Sequence, residues 1–63
     1  MTLAEKLKKQ RMKHGYTQEE IAKKIGISQA AYNYFESGFK GPSLATVTAL
    51  SDIYEITIDE LVK

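Results

Sequence analysis

The sequence predicts an all-α fold: five short helices in one domain spanning residues 1–63. Three observations predict it. Hydroxyl residues suited to helix N-caps stand ahead of the apolar stretches at Thr17, Ser28, Ser43 and Thr57, and Thr17 and Thr57 each have a glutamate three residues on, making capping boxes. Between the caps, apolar residues recur at the spacing of one buried helical face, and no strand is read. Gly15, Gly26 and Gly38 fall where the first three helices must stop.

The first helix is expected over residues 3–14, with Leu3, Leu7 and Arg11 on one stripe and lysines on the other faces. Arg11 on an apolar stripe needs a carboxylate, because an unpaired buried charge is very costly. Glu36, next to Phe35 on the third helix, is the candidate; the alternative from periodicity alone is that both side chains snorkel to water. Tyr16 precedes the Thr17 cap, where it staples the entry to helix two. That helix buries Ile21, Ala22 and Ile25, and Gly26 supplies the positive φ for a sharp turn. Ser28 caps helix three, whose inner face is Ala31, Tyr32 and Phe35 and which ends at Gly38. Ser37–Pro42 reads as a loop. Ser43 caps helix four, with a buried stripe of Leu44, Val47, Leu50 and Tyr54. Thr57 opens a last short helix through Val62, with Ile58 and Leu61 facing inward.

Size and composition narrow the function. Sixty-three residues allow one small core and no large enclosed active site. There is no cysteine, so no disulfide or cysteine-ligated zinc supports the fold. His14, the only histidine, has no cysteine or second histidine to share a metal, and no metal or cofactor is expected. It also lacks clustered carboxylate partners, and the Ser/Thr residues serve as helix caps, so the chain does not read as an enzyme. No apolar run approaches the roughly 18 residues of a membrane span, and the N-terminus has no signal-peptide core; no membrane partner and a cytoplasmic location are the expectations. The net charge of +1 hides an asymmetry: residues 1–40 carry eight Lys/Arg against four Asp/Glu, a net +4, and residues 41–63 carry one against four, a net −3.

The pieces Leu7 with Arg11, Gly15–Ala22, Gly26-Ile27-Ser28, Phe35-Glu36-Ser37-Gly38, Pro42-Ser43-Leu44 and Ile58–Leu61, in that order and spacing, resemble the Cro/lambda-repressor-type helix-turn-helix family, also called xenobiotic-response-element regulators. The resemblance covers essentially the whole chain. It implies a compact five-helix lambda-repressor-like DNA-binding domain with Arg11 and Glu36 paired, and a sequence-specific transcriptional regulator, a repressor above all. The same domain also serves in antitoxins and coactivators, so a protein-interaction module is the alternative.

The resemblance also implies site roles. Gln18 matches a glutamine that contacts a DNA phosphate and braces the recognition helix. Ser28 and Gln29 match the start of that helix, where phosphate and base are met, and Lys40 lies in the backbone-touching loop. Three positions depart from the commoner pattern: Ala30 and Tyr34 stand where polar or charged readers are usual, and Glu55 replaces a glycine that ends helix four. At about 100° per residue, Gln29, Ala30, Asn33, Tyr34 and Ser37 share one exposed arc. Gln29 and Asn33 suit adenine and Ala30 a thymine methyl, which predicts an A·T-leaning half-site. Gln29, Ala30, Asn33 and Tyr34 are thus the expected base contacts, with Tyr34 equally suited to phosphate or sugar; Gln18, Ser28, Ser37 and Lys40 are the expected phosphate contacts. The expected partner is double-stranded DNA, bound by a homodimer on two half-sites about 10 bp apart, with no small-molecule ligand in this domain. Ile56 and Val62 either form the dimer surface or complete the core.

Overall fold

Five N-caps set the architecture. A computed structural model describes residues 1–63, and in it helices α1 (Leu3–Lys13), α2 (Gln18–Ile25), α3 (Gln29–Ser37), α4 (Leu44–Tyr54) and α5 (Ile58–Val62) account for all regular structure. Thr2, Thr17, Ser28, Ser43 and Thr57 are extended, and each side-chain oxygen accepts the backbone N–H three residues on. Thr2 and Glu5 form a third capping box beyond the two read from sequence. The first helix stops at Lys13 rather than residue 14, with His14 as its C-cap.

The ends are as regular as the starts. Ile27 N–H donates to the Ala22 carbonyl at 3.0 Å and Gly26 N–H to Lys23 at 3.3 Å, with Gly26 at φ +77°, a Schellman turn that reverses the chain in a single residue. The same six-to-one bond closes α4, from Ile56 N–H to the Ser51 carbonyl at 3.1 Å, but there the left-handed residue is Glu55, at φ +56°. Glutamate in this region costs about 1–2 kcal/mol of backbone strain, more than the conformational entropy a glycine would add to the unfolded chain. Glu55→Gly is accordingly expected to stabilise the domain by about 0.5–1 kcal/mol, seen as a higher urea midpoint with unchanged m-value. A lower midpoint would show that the Glu55 side chain makes a stabilising contribution larger than the strain.

The core is Leu7, Ile21, Ala22, Tyr32, Val47, Leu50, Tyr54 and Leu61, drawn from all five helices. Leu3, Tyr16, Ile25, Ile27, Phe35, Ile53 and Ile56 pack around it, so Ile56 completes the core and is not free surface. Of the residues expected inside, Ala31 is only half-buried and belongs to neither set, and two more lie outside. Leu44 is 74% exposed and Ile58 36% exposed. Each is the first residue of its helix, at the end of the element, and the burial they were expected to supply comes from elsewhere. On α4 the inner face runs Val47, Leu50, Ser51, Tyr54. Ser51 is tolerated there because its hydroxyl donates to the Thr48 carbonyl at 2.8 Å. No helix is long and apolar enough to cross a membrane.

Helix α3 packs against both α2 and α1, while α4 and α5 pack on each other and complete the floor through α2 and α1. The molecule measures 25 × 22 × 20 Å, about two helix diameters in each direction. In so thin a body a helix with two inner neighbours keeps one face in solvent. For α3 that face is the arc of Gln29, Ala30, Asn33, Tyr34 and Ser37, all exposed.

Candidate nucleic-acid interface

What fixes α3 in place is a polar cluster at the edge of the core. Arg11 Nε donates to Glu36 Oε2 at 2.6 Å and its Nη2 to Oε1 at 3.1 Å, a bidentate pair. The third guanidinium nitrogen, Nη1, donates to the Tyr16 carbonyl at 2.9 Å, in the connection between α1 and α2. Gln18 Nε2 donates to Glu36 Oε1 at 3.2 Å. One carboxylate thus ties the recognition-type helix to α1 and to the first residue of α2. The side chains of Arg11 and Glu36 are 13% and 4% exposed, so the pair is not the snorkelling arrangement.

Burial pushes the Glu36 carboxyl up, but hydrogen bonds led by that from Arg11 outweigh it and hold its pKa below the ordinary carboxylate value of 4.5. Beside this cluster, the Tyr32 and Tyr54 hydroxyls lie 3.2 Å apart, close enough for both to feel the Glu36 charge. Burial pushes Tyr54 up to about 12 and Tyr32 higher still. A lowered acid contributes stability that is full above its unfolded pKa and is lost as pH falls through the folded one. A raised tyrosine contributes stability that is full below 10 and is lost as pH rises toward 12. A thermal midpoint measured against pH is therefore expected to hold a plateau from about 5 to about 10 and to fall on both sides. Glu36→Gln should flatten the acid limb and only soften the alkaline one, because burial is the first cause of the raised tyrosines and the Glu36 charge a lesser one; an unchanged acid limb would remove Glu36 as its source.

At the N-terminal end of α3, Ser28 Oγ accepts the Ala31 N–H at 3.1 Å. The N–H groups of Gln29 and Ala30 in the same turn have no protein acceptor, and together with the helix dipole they make this end attractive to an anion. The Gln29 and Asn33 side chains are exposed and make no hydrogen bond within the protein, so their amides stay available. Ala30 lies between them on the exposed arc. At the far end the surface changes character. Tyr34 and Phe39 have ring centroids 5.0 Å apart, and Lys40 Nζ stands 5.8 Å from the Tyr34 ring. The Ser37 hydroxyl donates to the Tyr34 carbonyl and accepts the Phe39 N–H, so both of its hydrogen-bonding roles are engaged internally.

Of the residues expected from sequence, Gln29, Ala30, Asn33 and Tyr34 share one face of α3, with Ser28 at one end and Lys40 at the other. Gln18 reaches the cluster from α2 and is half-buried. Phe39 was missed: it sits in a loop, where helical periodicity gives no signal, and only an aromatic beside a lysine between two glycines marked the position.

A two-helix unit closed by a left-handed glycine, with the second helix braced from behind and bare in front, defines a helix-turn-helix domain. The helix-turn-helix family model matches residues 7–61, and the chain belongs to the Cro/lambda-repressor type of that family. It is 36% identical over 61 residues to the HTH-type transcriptional regulator ImmR of Bacillus subtilis, covering 97% of this chain and 48% of that protein. It is 39% identical over 61 residues to the CTXphi transcriptional repressor RstR of Vibrio cholerae, covering 97% and 54% respectively. The chain spans about half the length of these curated relatives. Among solved structures, the P22 c2 repressor protein in complex with synthetic operator 9T is similar with a TM-score of 0.93 and 25% identity, covering 100% of this chain and 96% of that one.

Proposed function

We propose that this chain is the sequence-specific DNA-binding domain of a transcriptional regulator, a repressor, which places α3 in the major groove of double-stranded DNA. The observation that carries the reading is the two-sidedness of α3: Tyr32, Phe35 and Glu36 are held inside, and Gln29, Ala30, Asn33 and Tyr34 face out. The P22 c2 repressor, similar over the whole chain, was solved on an operator. In this reading Gln29 and Asn33 take adenine N6 and N7, Ala30 meets a thymine methyl, and Tyr34 meets base, sugar or phosphate at the edge of the groove. Gln18, Ser28 with the open N–H groups beside it, and Lys40 anchor phosphates. Ser37 joins them only by releasing the Tyr34 carbonyl.

One domain offers few phosphate contacts, so the working form in this proposal is a homodimer on two half-sites about 10 bp apart. Ile58 and Val62, exposed on α5 at the acidic end of the chain, supply its apolar surface. Such a regulator works in the cytoplasm, without a small-molecule ligand in this domain.

Selection of bound sequences from a random duplex pool, followed by affinity measured against salt, tests the whole reading. The expected result is an A·T-leaning half-site, repeated about 10 bp away, and a slope of log affinity on log salt of about −0.9 per phosphate contacted. No retardation of any duplex at either low or moderate salt would overturn it, and leave a protein-binding module as the use of this face.

A further inference from the structure

Phe39 is 71% exposed, yet its position is closely fixed. After Gly38, at φ +79°, the chain folds back on the end of α3. The Ser37 hydroxyl donates to the Tyr34 carbonyl at 3.1 Å, Phe39 N–H donates to Ser37 Oγ at 3.4 Å, and Lys40 N–H donates to the Tyr34 carbonyl at 3.2 Å. The three bonds hold the Phe39 ring against Tyr34, with centroids 5.0 Å apart and planes at 46°, and Lys40 Nζ lies 5.8 Å from the same Tyr34 ring.

A single exposed apolar residue is ordinary. This one is different because it continues the exposed arc of α3. On the helical wheel, with Gln29 at zero, Asn33 lies near 40°, Ala30 near 100° and Tyr34 near 140°. Phe39, seated on Tyr34, extends that series past the end of the helix as an apolar plate with a cation beside it. In the major groove of paired DNA the base faces are stacked away, and the apolar group on the base edges is the thymine C5-methyl. Adenines taken by Gln29 and Asn33 would each bring a thymine into the same groove.

We propose that Phe39 is a specificity-determining residue that packs on a thymine methyl group, with Tyr34 as its seat and Lys40 on the adjoining phosphate. This rests on the DNA-binding reading above. The test uses the duplex selected by the wild-type chain, and the same duplex with each thymine replaced in turn by deoxyuridine, which deletes only the methyl. Binding is followed by fluorescence anisotropy for wild type, Phe39→Ala and Phe39→Leu.

Besides the thymine met by Ala30, one further deoxyuridine position is expected to weaken wild type by about three- to tenfold. Phe39→Ala should lose about as much on the parent duplex and nothing further on that deoxyuridine duplex. Phe39→Leu should retain most of the affinity, and all three proteins should share one thermal midpoint. Lys40→Gln should reduce the salt slope by about one, a change Phe39→Ala should not produce. The inference is overturned if Phe39→Ala binds the parent duplex like wild type. It is also overturned if Phe39→Ala loses equally on parent and deoxyuridine duplexes, which would place the ring on deoxyribose. If wild type selects no duplex, the DNA-binding reading falls with it; if wild type selects one and Phe39→Ala is indifferent, this inference falls alone.

Discussion

Arg11→Met is expected to remove about 3–5 kcal/mol of folding stability, the largest loss of any single surface-edge change in this domain. Methionine replaces the stem of the side chain, so the loss is electrostatic and not a cavity. What remains is the Glu36 carboxylate, 4% exposed, with only the neutral Gln18 amide and Tyr32 hydroxyl beside it. For a chain of 63 residues, whose total stability is on the order of 3–9 kcal/mol, such a loss leaves little or no margin. Urea denaturation read by circular dichroism checks it, and a loss below about 1 kcal/mol would contradict a buried pair and indicate a screened surface one. The double variant Arg11→Met, Glu36→Leu is expected to regain most of the loss, since neither charge is then left alone in the core edge. It gains nothing for the Gln18 amide, which loses its acceptor. The double variant should therefore be stable and yet bind DNA less tightly than wild type.

Gln29→Ala is expected to cost about 1–3 kcal/mol of binding at one base pair, about fivefold to 150-fold, and to relax preference there while other positions keep theirs. Because Gln29 is exposed and hydrogen-bonds nothing in the protein, its truncation should leave the unfolding transition unchanged. Competition between the selected duplex and its single-base variants is the measurement. An equal weakening on all sequences would turn Gln29 into a backbone contact and move the reading of bases to Asn33 and the aromatic end of α3.

The parts of the fold that local chemistry dictates were legible in the sequence. Thr17 with Glu20, Ser28, Ser43 and Thr57 with Glu60 located four helix starts, because a cap is a short-range hydrogen bond that leaves its mark within four residues. The Arg11–Glu36 pair was half legible: periodicity placed a charge on an apolar stripe but left its partner open, and the family resemblance chose Glu36. Leu44 and Ile58 were misplaced because periodicity identifies a face and not how far along the helix that face is covered. Phe39 escaped because its placement depends on three hydrogen bonds within a loop, and no periodic pattern encodes those. Glu55 was visible as a non-glycine at a glycine position, but only its backbone angle shows that the turn is kept and the strain accepted.

The division of α3 into two faces also bears on how such a protein changes over generations. Nine residues long, the helix keeps its structural obligations at Tyr32, Phe35 and Glu36, each engaged by a different neighbour, and leaves Gln29, Ala30, Asn33 and Tyr34 with few ties to the rest of the molecule. If α3 reads DNA as proposed, substitutions at the outward four would alter which sequence is preferred at little cost to folding, whereas those at the inward three would lower stability before any preference is tested. New targets are thus reachable by single steps through folded intermediates.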